Sequence, residues 1–128
     1  MVHFVYHKSA EHRIMKAPGG MVDSHISDLA DRVESMAKRQ VGVDTGELRG
    51  SIHVRPNRQA SGMPSYLIGS SNSIAYLHHK GSRPHVIKPK HAKVLRFAGY
   101  GTIVYARQVY HPGTAPNRYL TGPLSAVI

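Results

Sequence analysis

The chain has 128 residues, enough for one domain, or one domain with arms, and enough to bury a modest core without cross-links. It has no cysteine, which excludes disulfides, thiolate metal sites, iron–sulfur clusters and a cysteine nucleophile. The net charge is +10 and unevenly spread: all seven acids (Glu11, Asp23, Asp28, Asp31, Glu34, Asp44, Glu47) precede residue 48, while residues 48–128 hold 11 bases and no acid, a balance that attracts nucleic acid or the acidic faces of proteins.

In chain order, residues 2–6 (Val-His-Phe-Val-Tyr) are apolar and β-prone and predict a short strand in an N-terminal arm, 1–20. Residues 8–17 are compatible with a helix that Pro18-Gly19-Gly20 breaks. Val22, Ile26, Leu29, Val33 and Met36 recur at spacings of four and three, which predicts the main helix at 23–40, inside a segment 21–42, with its apolar stripe in the core. Asp23 or Ser24 is placed to cap its start, Lys38 and Arg39 suit its C-terminus, and Gly42 follows.

Beyond residue 42 the period changes, and 43–110 read as a sheet with long loops. Residues 48–56 predict a strand with Ile52 and Val54 on one face, 56–64 a polar, exposed and mobile loop, and 65–71 a second strand. Asn72 or Ser73 can cap a short helix at 74–80 that Gly81 ends. Residues 82–93, with two prolines and four bases, suit an extended arm better than a sheet interior. Residues 94–110 predict a hairpin about the turn Gly99–Gly101, and 111–128 a turn and a C-terminal arm or short helix. The expected fold class is α+β, a single domain with one principal N-terminal helix packed on an antiparallel β-sheet of four or five strands, with extended loops and arms. No apolar run is long enough to span a membrane, and the N-terminus lacks the apolar centre of a signal peptide, so neither a membrane nor export is expected.

Catalytic patterns are sparse. Asp44-Thr45-Gly46 matches the triplet of aspartic proteases, whose paired aspartates share a proton. The preceding residues end a helix instead of forming an apolar strand, however, and Glu47 puts a charge where a small residue normally packs. A helix-to-strand turn, with Asp44 bonding its own backbone and Gly46 free in φ, is the simpler reading. Ten histidines invite a metal site, but His78 and His79 diverge as neighbours, and His3, His7, His12, His85, His91 and His111 lack carboxylate company at ligand spacing. Neither a nucleophile elbow nor a phosphate loop is present. No enzyme activity, cofactor or metal is expected. Lys80, Arg83, Lys88, Lys90, Lys93 and Arg96 form a basic stretch able to meet phosphates, without a recognition helix to read bases.

Three ordered blocks, VDTGELRGSI (43–52), IAYLHHKGSRPHVIKPK (74–90) and VYHPGTAPNRYLTGPL (109–124), resemble a family of small neck or minor-tail proteins of long-tailed double-stranded DNA phages. The likeness runs over residues 22–124. His78-His79-Lys80 stand where members often carry an acid before the glycine, and Arg118-Tyr119-Leu120 where Pro-Phe-Leu is more usual. The resemblance implies a non-catalytic virion protein of the neck, made in the bacterial host cytoplasm. It implies a homo-oligomeric ring, six-fold by expectation, between head-completion or stopper proteins and the tail terminator or tail tube. Genome DNA would pass through without sequence-specific binding. A tail terminator or tail-completion protein is the near variant. A basic nucleic-acid-binding accessory protein is the alternative of another class.

On this reading the important residues are architectural. Asp44, Thr45 and Gly46 turn helix into sheet, Leu48 and Arg49 start the strand, and Gly81 with His111, Pro112, Gly113 and Thr114 sets the turns that aim the arms. Lys80, Arg83, Lys88, Lys90 and Lys93 would carry the basic arm onto neighbouring rings, where acidic surfaces must offset the self-repulsion of the ring. The loop 56–64 is expected to reach across in the same way.

Overall fold

The computed structural model describes residues 1–57 and 62–128; the tip of the 56–64 loop lies outside the described residues. The fold is α+β: α1 (Lys8–Met15), α2 (Met21–Gln40), α3 (Glu47–Ser51), β1 (Ile52–Pro56), β2 (Tyr66–Ser70), α4 (Ala75–Lys80), β3 (His85–Ile87), β4 (Leu95–Gly99), β5 (Thr102–Ala106), β6 (Val109–His111) and α5 (Thr121–Val127). The backbone groups into two compact units, one of Met1–Ala75 with Arg118–Ile128, the other of Tyr76–Asn117.

The first unit contains the buried core. The main helix begins at Met21, two residues before the predicted start, because the backbone of Gly20 already caps it. A Cβ at Gly20 would sit 2.5 Å from the carbonyl oxygen of Arg13, so only glycine fits where the chain leaves α1. Asp23 therefore lies inside the first turn and reaches back, accepting the backbone N–H of Gly19 at 2.7 Å. Helix α2 packs across β1 and β2 and against α5. Its deepest residues are Ala30, Val33 and Ala37, while Val22, Ile26, Leu29 and Met36 of the predicted stripe are half-buried. The two alanines let neighbouring backbone approach more closely than larger side chains would.

Leu48 and Arg49 are not on a strand. Gly46, at φ 88°, turns the chain into the single turn of α3, closed by Gly50 N–H to Gly46 C=O at 2.9 Å. Four residues apart across this turn, Leu48 and Ile52 enter one buried cluster with Ala37, Val41 and Tyr119, and Ala75 and Leu120 pack on it. β1 and β2 pair antiparallel from Ile52↔Ser70 to Pro56↔Tyr66. Ile52 and Val54 share the inner face as expected, while His53 and Arg55 are exposed. The β-prone residues 2–6 form no strand and are exposed. β propensity is expressed only against a partner strand and a packed face, and these residues have neither.

Among the described residues the strands form three separate two-stranded sheets, β1–β2, β3–β6 and β4–β5, in place of the expected single sheet of four or five. In the second unit, β3–β6 and β4–β5 are nested antiparallel ribbons. Pro89 lies between the two ribbons, just after β3, while Pro84 and Pro112 bound the β3–β6 ribbon at its other end. A proline ring offers no N–H to extend the pairing. The basic segment 82–93 is thus not wholly an extended arm, since His85–Ile87 pairs with Val109–His111. No residue of the second unit is buried.

Candidate functional site

The three sequence blocks meet one another. In the first unit, Leu48 and Ile52 from the first block, Ala75 from the second and Tyr119 from the third close the core. Tyr119 is fully buried and donates its hydroxyl to the Ala75 carbonyl at 3.3 Å. Burial pushes its phenol pKa up, since the anion would be poorly solvated. The sequence marked this tyrosine only as a replacement for phenylalanine. Its role as the largest core side chain depends on the tertiary approach of the C-terminal segment to Ala75.

In the second unit, the second and third blocks interlock through two glycines. Ser82 and Thr114 exchange both backbone hydrogen bonds at 3.0 Å. Gly81, at φ 76°, comes so close to this bridge that a Cβ would lie 2.3 Å from the Thr114 oxygen. Gly113, at φ 87°, approaches from the other strand, and a Cβ there would lie 2.5 Å from the Ser82 oxygen. Asn117 N–H to His78 C=O at 3.1 Å continues the join. The rings of His111 and His85, opposite each other on β6 and β3, stack at 5.0 Å. The Gly113 N–H donates to His111 Nδ1 at 3.1 Å, which fixes the proton of a neutral His111 on Nε2. His85 Nδ1 faces the Arg83 carbonyl at 2.8 Å and so carries its proton there. The pair holds the His-Pro-Gly-Thr turn against the arm.

Asp44 and Thr45 are exposed in the turn before α3, where Thr45 Oγ1 accepts the Glu47 N–H at 3.4 Å. Arg49, Lys80, Arg83, Lys88, Lys90, Lys93, Pro112 and Thr114 are exposed. The Lys80 ammonium lies 5.1 Å from the centre of the Tyr76 ring, within cation–π range. Among the described residues no three of His, Asp or Glu converge in a set able to hold a metal ion. Among the described residues no helix is long and apolar enough to cross a membrane.

Two grooves lie in the first unit. One, of about 490 Å³, lies beside the base of the 56–64 loop and includes His12, Lys16, Asp23, Pro56 and Tyr66. That base is closed by Asn57 N–H to Ser65 C=O at 2.8 Å. In the same region Tyr66 donates its hydroxyl to Asp23 at 2.7 Å, and this bond to a carboxylate pushes the Tyr66 pKa up. The other groove, of about 450 Å³, runs between α2 and α5.

The second unit is chemically uniform. It carries seven bases and no acid, and it exposes Tyr76, Leu77, Val86, Ile87, Phe97, Tyr100, Ile103, Tyr105 and Tyr110. No family model, curated protein or solved structure matches the chain.

Proposed function

We propose that this protein is a structural component of a phage neck, a ring-forming head-to-tail connector subunit, with tail completion as the near variant. The observation that carries the reading is the second unit itself: Tyr76–Asn117 is ordered as two nested ribbons, has no buried residue, and exposes apolar and cationic side chains together. Two-stranded ribbons are marginal alone in water and need a packed face. An apolar surface of this kind marks an interaction site. Self-assembly with neighbouring rings on either side would cover it, and acidic neighbours would offset its charge. The three interlocked blocks that resemble the phage family support the same reading. The interlock leaves the basic side chains of residues 80–93 outward, as a connector that grips adjoining rings requires.

A second reading has its own support: five exposed aromatic rings share the acid-free unit with seven cations, a composition suited to stacking single-stranded nucleic acid. Sedimentation velocity and DNA affinity at two salt concentrations separate the two. The connector reading expects a ring, or assembly on adding neck partners, with weak DNA binding. A monomer whose DNA affinity falls steeply with salt would replace it with the binder.

A further inference from the structure

Residues 2–6 and the β4–β5 hairpin each lack the partner that their chemistry calls for. The segment Val2-His3-Phe4-Val5-Tyr6 is β-prone, carries no Asp, Glu, Lys or Arg, and stands in solvent, with Phe4 94% exposed. Among the described residues it forms no strand, and its backbone makes no hydrogen bond. Tyr6 donates its hydroxyl to Glu11, which ties the end of the segment to α1.

The hairpin offers an open edge. Tyr100 (φ 51°) and Gly101 (φ 77°) make its two-residue turn, a left-handed pair that strains the tyrosine and leaves it in solvent at the tip. That turn fixes the register from Gly99↔Thr102 to Leu95↔Ala106. The pair beside such a turn exchanges hydrogen bonds, so the alternation of the ladder points the N–H and C=O groups of Ile103 and Tyr105 away from β4. Natural proteins guard such edges with charge, proline or shortness. β4 carries Arg96, and β3 and β6 are three residues long and bounded by Pro84 and Pro112. β5 has five residues, Thr102-Ile103-Val104-Tyr105-Ala106, with neither charge nor proline. β2 in the first unit is uncharged as well, but Gly69 within it weakens a further pairing.

Resting on the ring reading above, we propose that residues 2–6 of one copy add as a third strand to the open edge of β5 in the next copy. The two lengths match, and a two-stranded ribbon gains stability from a third strand. Neither sequence contains Asp, Glu, Lys or Arg, so the contact itself sets no like charges together although every copy is cationic. Side chains alternate along a strand, so Val2, Phe4 and Tyr6 share one face and can extend the apolar row of Leu95, Phe97 and Val104. Every copy has both the segment and the edge, so this one contact satisfies both, which a foreign strand would not. Donor and edge are different surfaces, so the contact is heterologous and repeats around a closed ring.

Phe4→Pro removes one ring and one backbone N–H at a fully exposed residue. It is expected to leave the melting temperature unchanged while the assembly seen with the unmutated chain in sedimentation velocity is lost. A synthetic peptide of residues 1–7 is then added to the Phe4→Pro chain. The Ile103 and Tyr105 amides are expected to exchange about ten-fold more slowly, or slower still, with the peptide bound. The same peptide N-methylated at His3, Phe4 and Val5 keeps its side chains but not those donors, and should give no protection. If the unmutated and Phe4→Pro chains assemble alike, this contact is wrong and the connector reading stands. Equal protection by both peptides would mean apolar adhesion without strand pairing, and overturns the proposal. If Phe4→Pro speeds exchange of Ile103 and Tyr105 in dilute monomer, the segment closes on its own hairpin and the second copy is not its partner. If the unmutated chain stays monomeric with and without neck partners, the contact and the connector reading both fall.

Discussion

At Gly81 and Gly113 the backbone passes so close to its neighbours that a methyl group would overlap a carbonyl oxygen, and both residues have positive φ. Each alanine substitution should therefore cost about 2 kcal/mol or more in the second unit. Hydrogen exchange should report this as faster exchange of the Ser82 and Thr114 amides, the two that form the bridge. Gly50 is the control. It sits in the turn of α3 with open space around its Cβ position and no positive φ, so Gly50→Ala should stabilise the protein by about 0.5–1 kcal/mol in thermal unfolding. The Tyr66–Asp23 bond gives a pH dependence of known sign. It raises the Tyr66 pKa above the ordinary 10.0, so its stabilisation is complete below pH 10 and is lost as pH rises through the folded-state value. Unmutated protein should lose stability in that alkaline window, and Tyr66→Phe should lose less there; an identical alkaline decline in both would remove this role from Tyr66.

Among elements, α2 was the most legible in the sequence, because an apolar period of three and four is hard to satisfy in any other conformation. Its start was misplaced by two residues because the contact that fixes it, Gly20 against the end of α1, is not local to the helix. The strand expected from residue 48 instead begins at Ile52, after a turn of helix. Leu48 and Ile52, four residues apart, would share a face in a strand as well, and it is one helical turn that brings both into the same core. Ile52→Ala should cost about 3 kcal/mol, since Ile52 is 1% exposed and its removal leaves a cavity among Ala37, Val41 and Tyr119. Tyr119→Phe should cost about 1 kcal/mol, the loss of one long hydrogen bond that leaves the Ala75 carbonyl short of a partner. Equilibrium denaturation measures both, and a near-neutral Ile52→Ala would place the core elsewhere. Residues 2–6 show the limit of propensity from the other side, since five β-prone residues without a partner stay exposed.

Over the whole molecule, charge and burial are segregated together. The first unit holds the acids and the core; the second holds seven bases, no acid and no buried residue. In the isolated chain the amides of β3–β6 and β4–β5 should exchange with solvent much faster than those of α2, and assembly should slow them. Assembly that sets the seven bases of the second unit against acidic surfaces of neighbouring proteins should also weaken with salt, the Debye length falling from about 10 Å at 0.1 M to about 3 Å at 1 M. Light scattering across that range should show the assembly midpoint moving to higher protein concentration.

The charge asymmetry, the main helix and the sites of the turns were readable directly from the chain, because each depends on residue type and spacing along a few neighbours. The tertiary structure alone decided that the strands divide into three ribbons, that Tyr119 fills the core, that Gly81 and Gly113 interlock, and that Tyr100 stands free at a strained tip. These depend on which distant segments come within a few ångströms of each other, and no local pattern encodes that.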